Sequence, residues 1–117
     1  MNQAARATKG GKSSDGLHRL REEACMAIRI GILGDFNPEF PAHTTIAPSL
    51  QHAGCALRVE VESQWLPTPS LVGAEGERLL AGFDGLWAAP ASPYQSMEGM
   101  LHGIEFARRR DWPFVGT

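Results

Sequence analysis

The chain has 117 residues, 43% of them hydrophobic and 21% charged, with a formal net charge of -2. That make-up suits one globular domain with a modest core and excludes a strongly basic nucleic-acid binder. No apolar run nears the roughly 20 residues of a membrane span, and the N-terminus lacks the apolar centre of a secretory signal. Cys25 and Cys55 form neither a disulfide framework nor a metal-type spacing. A reducing, cytoplasmic setting is expected.

Residues 1–26 are polar and basic around a Gly/Ser/Lys centre, and they are expected to stay outside any core as a disordered leader, with a short helix near Leu17 to Ala24. The alternative expectation is that the leader is an extension and that the chain starts at Met26. The stretch "GGKSS" invites a phosphate-loop reading, but that motif needs a glycine where Arg6 stands and a strand before it. The domain is expected over residues 27–117.

"AIRIGILGDF" carries Ile28, Ile30, Ile32 and Leu33 ahead of Gly34 and Asp35, the signature of a parallel strand buried on both faces. A loop with two prolines follows. "TTIAPSLQHAG" spaces Ile46, Leu50 and Ala53 as a helix, with Pro48 tolerated only in its first turn and Gly54 as its stop. "CALRVEVESQWL" sets Arg58, Glu60 and Glu62 against Leu57, Val59 and Val61, a strand with one polar face near a sheet edge. A loop then leads to a helix at about Ala74 to Leu80.

"DGLWAAP" reads as a third, buried strand ended by Pro90. "MEGMLHGIEFARRR" reads as an amphipathic helix with Met97, Leu101 and Ile104 on one stripe and Met100 and Ala107 beside it. Glu98 in its first turn and Arg108, Arg109 and Arg110 in its last suit the helix dipole. "WPFVGT" reads as a buried fourth strand, expected to lie centrally in the sheet. The alternation predicts an α/β fold, a three-layer α/β/α parallel sheet of flavodoxin-like or Rossmann-like type, incomplete at its C-terminus. Ligands of such sheets collect at the carboxyl ends of the strands.

From "FDGLWAAP" to "PFVGT" the chain resembles the class I glutamine amidotransferase domain of CTP synthase. The resemblance rests on Pro90, the Glu98-Gly99 pair opening a helix, Ala107-Arg108 near its end, and Pro113-Phe114-Val115-Gly116. "IRIGILGDF" and "LQHAG" are similar to that domain's first strand and the end of its first helix. The resemblance spans Ile28 to Thr117. It implies that Gly116-Thr117 ends the strand delivering a cysteine nucleophile just after Thr117, with a histidine and a glutamate much further along. None of these is in the chain, nor is the synthetase domain that binds ATP and UTP. The 117 residues alone are therefore expected to be inactive. A UGA codon read as a stop would put selenocysteine at the nucleophile position, where its readily ionised selenol suits the role.

The resemblance also implies an oxyanion and substrate loop at Ala91, Ser92 and Tyr94. The family's two glycines are Ala91 and Ser92 here, the loop is one residue shorter, Pro93 donates nothing, and Tyr94 takes the place of a phenylalanine. Backbone N–H groups still donate from alanine and serine, but both resist a positive φ.

Asp35 and His43 are candidate substrate-edge residues, His43 having local hydrogen bonding as its ordinary alternative. An acidic-pocket reading of Asp35 fails because Trp87-Ala88-Ala89-Pro90 offers no second acid. Cys55 is expected to be a buried structural thiol. His52 and His102 fall on helices, the histidines never reach metal spacing, and neither metal nor cofactor is expected. The arginine triplet reads as a solvated helix end rather than an anion site, and Trp65, Trp87 and Trp112 as core or strand-end packing. The expected partner is glutamine or a related small molecule, if the domain is completed, with no nucleic acid and no membrane. Self-association through exposed sheet surface is the remaining possibility. A non-catalytic binding protein on the same scaffold is the alternative function.

Overall fold

A computed structural model describes residues 27–117. The leader, its Gly-Lys stretch and Cys25 lie outside the described residues.

Four strands form one parallel sheet in the order β2-β1-β3-β4: β1 (Ala27–Leu33), β2 (Glu60–Leu66), β3 (Gly85–Ala88) and β4 (Phe114–Gly116). The helices are α1 (Pro41–Thr44), α2 (Ile46–Leu57), α3 (Gly73–Leu80) and α4 (Met97–Arg110), with a 3-10 turn at Thr68–Leu71. This is the doubly wound order expected of the strand-helix alternation. β1 sits between β2 and β3, so its C-terminal half is apolar and buried on both faces. β2 is an edge strand among the described residues, and its Glu60, Glu62 and Gln64 are exposed.

Successive residues of β1 feed opposite layers, because side chains alternate along a strand. Ile32 packs with Ile46, Leu50, Trp65, Trp87 and Ala89 on the α2 side. Leu33 packs with Leu66, Leu71, Leu80, Phe83, Leu86, Met100 and Phe106 on the side of α3 and α4. Both residues are fully buried. The second cluster is the main core, and truncating such a leucine to alanine typically costs about 2–5 kcal/mol.

Four expectations change. The helix expected to stop at Gly54 runs on to Leu57 and closes at Arg58 in the left-handed region, so β2 begins at Glu60. Gly54 is instead where α2 presses on the chain after it, since a Cβ there would lie 2.8 Å from the Val59 oxygen. Cys55, next along the helix, is exposed rather than buried. The loops after β1 and β2 contain a helical turn each, both with proline in the first turn, where its missing N–H leaves no gap.

The third change is on α4. Its buried face is Gly99, Met100, Gly103, Phe106 and Ala107, while Met97, Leu101 and Ile104 face outward. Glycine has no weight in an apolar pattern, yet it decides how closely a helix seats. A Cβ on Gly99 would run into the Thr68 carbonyl, and one on Gly103 into the Leu33 side chain. The helix therefore turns its glycine face, not its largest apolar stripe, to the core. Fourth, β4 lies at the sheet edge among the described strands and is exposed along its length.

Two of the three arginines at the end of α4 are paired. Arg110 bonds Glu77 at 2.8 Å and Arg109 meets Glu105 at 3.1 Å. Near the start of β1, Arg29 holds the approach to β3 through Gly82 and the Phe83 ring. No helix among the described residues is long and apolar enough to cross a membrane.

The glycine seat is open to a direct test. Gly99→Ala is expected to lower stability by about 3 kcal/mol, the upper range for forcing atoms into a packed contact. Gly82→Ala, whose Cβ would meet nothing closer than 3.4 Å, is expected to stay within about 0.5 kcal/mol of the parent. Denaturant melts of the two variants provide the comparison.

Candidate functional site

The carboxyl edge of the sheet gathers three loops and the end of β4. Each loop begins where a strand runs out, so its first residues are held by the ladder. Gly34 N–H donates to the Leu66 oxygen, Ala89 N–H to Leu33, and Thr117 N–H to Ala88. Beyond those bonds the loops are held to one another by side chains.

Asp35 is the principal tie. Its Oδ1 accepts from the Thr68 N–H at 2.9 Å, and its Oδ2 accepts from the Gln95 N–H at 2.9 Å and the Thr68 hydroxyl at 2.9 Å. The Thr68 hydroxyl in turn accepts from the Ser96 N–H at 2.8 Å. Ser96 then caps α4 by accepting from the Gly99 N–H at 3.0 Å. The loops after β1, β2 and β3 are thus joined through one carboxylate and one buried hydroxyl, with Thr68 fully inaccessible. The Asp35 charge faces backbone N–H groups at the start of the 3-10 turn and just ahead of α4, the end of a helix that favours an anion.

His43 is the second tie. The ring is 2% exposed. Its Nδ1 accepts from the Asn37 N–H at 3.0 Å, which leaves Nε2 to carry the proton and donate to the Pro90 oxygen at 2.9 Å. Phe36, Phe40 and Trp65 surround it, the Trp65 centroid 4.7 Å away. Both ring nitrogens are engaged within the protein, and they lock α1 to the start of the Pro90 loop.

That loop has a conformation its residues resist. Ala91 has φ +91, a region that suits glycine and costs other residues about 1–3 kcal/mol. Ala91 and Ser92 are exposed. Tyr94 folds back, its hydroxyl donating to the Ala89 oxygen at 2.8 Å. On the far side, the Trp87 indole donates to the Thr117 hydroxyl at 3.0 Å. Gly116 and Thr117 therefore come to the edge directly beside the strand that feeds Ala89 to Tyr94.

The structure brings Asp35, His43, Ala91, Ser92, Tyr94, Gly116 and Thr117 to one edge. It leaves Cys55 at the other, near the end of α2. Thr68 and Ser96 are the residues that sequence reasoning missed. Ser96 had a legible signal, a serine just ahead of a helical pattern. Thr68 had only its place after a strand.

A parallel sheet in this order, with helices packed against it, is an α/β fold that a solved glutaminase domain shares. The glutaminase domain of Trypanosoma brucei CTPS, solved with bound acivicin, superposes with a TM-score of 0.65 at 19% identity, covering 76% of this chain and 35% of that one. The sequence relatives are CTP synthases. The protein from Paracoccus denitrificans is 33% identical over 95 residues, 81% of this chain and 17% of its own length. That from a Synechococcus species is 30% identical over 100 residues, 86% of this chain and 18% of its own length. That from Microcystis aeruginosa is 26% identical over 102 residues. No family model matches the chain. The chain is thus a CTP synthase relative over the glutaminase end of those proteins, and it spans less than a fifth of their length.

Two substitutions test the edge. Ala91→Gly is expected to raise stability by about 1 kcal/mol by relieving the positive φ. Asp35→Asn replaces one acceptor oxygen by a donor facing N–H and O–H groups. It is expected to cost about 2 kcal/mol, with faster amide exchange at Gln95 and Thr68. Thermal melts and residue-resolved hydrogen exchange are the measurements.

Proposed function

We propose that these residues form the first part of a class I glutamine amidotransferase domain. The ligand edge, at Ala91, Ser92 and the end of β4, would take glutamine or a close analogue. The observation that carries this reading is the meeting of β4's last residues with the Ala89–Tyr94 loop. In glutaminases of the resembling family the strand ending at this position leads into the nucleophile, and the loop supplies oxyanion N–H donors. A nucleophile emerging after Thr117 would start beside that loop. The Ala91 and Ser92 N–H groups would serve the oxyanion, with Ala91 held in the backbone conformation that the family's glycine favours.

In this reading Asp35, Thr68 and His43 shape the edge and leave contact with the ligand to others. His43 has no free ring nitrogen and Asp35 is spent on backbone donors. Nor does Cys55 substitute as a nucleophile, since it lies at the far edge of the sheet. Glutamine hydrolysis supplying ammonia for the conversion of UTP to CTP is the role such a domain would serve in a complete enzyme. The 117-residue chain alone is expected to release no ammonia from glutamine. A coupled ammonia assay on the purified chain is the check, and turnover that scales with protein and is blocked by acivicin would overturn the expectation.

A second reading keeps the scaffold without the chemistry, as an interaction protein. It is favoured by the outward-facing apolar side chains of α4 and β4.

A further inference from the structure

We infer that His43 is a positioning residue, which sets the direction and the donor strength of the Ala91 N–H without touching the ligand. The ligand served, glutamine, rests on the reading above; the positioning rests on bonds within the chain. The Pro90 carbonyl and the Ala91 N–H belong to one rigid, planar peptide unit. That peptide is trans, so its C=O and N–H point in opposite directions. His43 Nε2 donates to the Pro90 oxygen at 2.9 Å. Holding the oxygen toward α1 turns the Ala91 N–H away from it, and that N–H has no acceptor among the described residues. Swinging the N–H elsewhere would rotate the whole plane and break the bond from a ring that is 2% exposed, where burial leaves little solvent to replace it.

The ring is itself fixed. Its Nδ1 accepts from the Asn37 N–H at 3.0 Å, and Phe40 and Trp65 pack against it at centroid distances of 5.1 and 4.7 Å. The carbonyl before Pro90 is held too, since the Tyr94 hydroxyl donates to the Ala89 oxygen at 2.8 Å. The far end of the loop is tied down by the Gln95 and Ser96 N–H groups on Asp35 and Thr68. Ala91, at φ +91, thus sits between two anchored ends, the condition under which a strained residue persists. Of these anchors His43 is the one bonded to the peptide that carries the Ala91 N–H.

The bonds also run in series. The Asn37 N–H polarises the ring, and the Nε2–H on the Pro90 oxygen draws electron density from the peptide. The Ala91 N–H becomes a stronger donor toward negative charge that develops on a substrate oxygen. The neutral ring is the form that does this, because Nδ1 must accept while Nε2 donates.

The test separates the two ring nitrogens. A glutamine side chain carries its amide nitrogen to where Nε2 lies, whereas the asparagine amide reaches only as far as Nδ1. His43→Gln therefore keeps the bond to Pro90, and His43→Asn keeps the bond from Asn37. Each loses one hydrogen bond, so denaturant melts should show similar losses of stability. In proton–nitrogen correlation spectra of the full chain, the Ala91 amide signal should stay near the parent's in His43→Gln and move in His43→Asn. L-glutamine titrated against that signal should bind His43→Gln within about twofold of the parent and His43→Asn about fivefold more weakly. A residue that only stabilised the fold would make the two variants alike, and equal Ala91 shifts overturn the proposal. Should a variant fail to fold, the parent decides: its Ala91 amide is expected to exchange as an unprotected group, and a protected one, turned to an acceptor inside the chain, overturns the proposal. A parent that ignores L-glutamine counts against the glutaminase reading, and the positioning then stands or falls on the Ala91 shifts.

Discussion

One carboxylate sets the carboxyl edge of this sheet. Parallel strands end together but leave their loops independent, and nothing in the ladder says where those loops go. Asp35 accepts hydrogen bonds from the loops after β2 and β3, and the Thr68 hydroxyl passes the link on to Ser96, so the loops after β1, β2 and β3 are tied to one another. A charge that is only half-buried would bring little by an ion pair. Here its partners are backbone N–H groups that would otherwise go unpaired, and charge-assisted bonds of this kind are the stronger ones.

The seat of α4 follows from the same knot. Ser96 accepts from the Gly99 N–H in the helix's first turn and also donates its own N–H to the Thr68 hydroxyl. The helix start is thereby pinned against the 3-10 turn, close enough that only glycine fits at residue 99. From there the rotation of the helix is settled, with Gly103 over Leu33 and Phe106 against Trp112. What is left outside is a stripe of larger apolar side chains. Packing density, not the count of apolar carbons, chose the face.

These details explain which parts of the fold were legible in the sequence. The order of strands and helices was, because apolar runs and helical spacing are local. So was the edge position of β2, through its alternating glutamates, and so were the limits of α4. The face of α4 was not, since Gly99 and Gly103 act through what they lack. Gly54 was misread for the same reason, as a stop instead of a close approach. At the edge, the chemistry of Asp35 and His43 was visible but their partners were not. Asp35 reaches Thr68 and Gln95, and His43 reaches Pro90, residues far along the chain that only the sheet brings near. The positive φ at Ala91 could not be read from an alanine, which ordinarily avoids that region.

The all-parallel sheet has a kinetic consequence. Every strand pairing joins distant residues: Ala27 with Glu60, Ile30 with Gly85, and Leu86 with Phe114. No hairpin offers a cheap first contact, so each pair of neighbours must close a long loop before any ladder bond repays it. β1 takes part in two of the three pairings, and the central sheet forms only once it has met both partners. β4 pairs with β3, a strand of four residues. Without β4, β3 would itself be an edge, with an unpaired ladder of backbone groups.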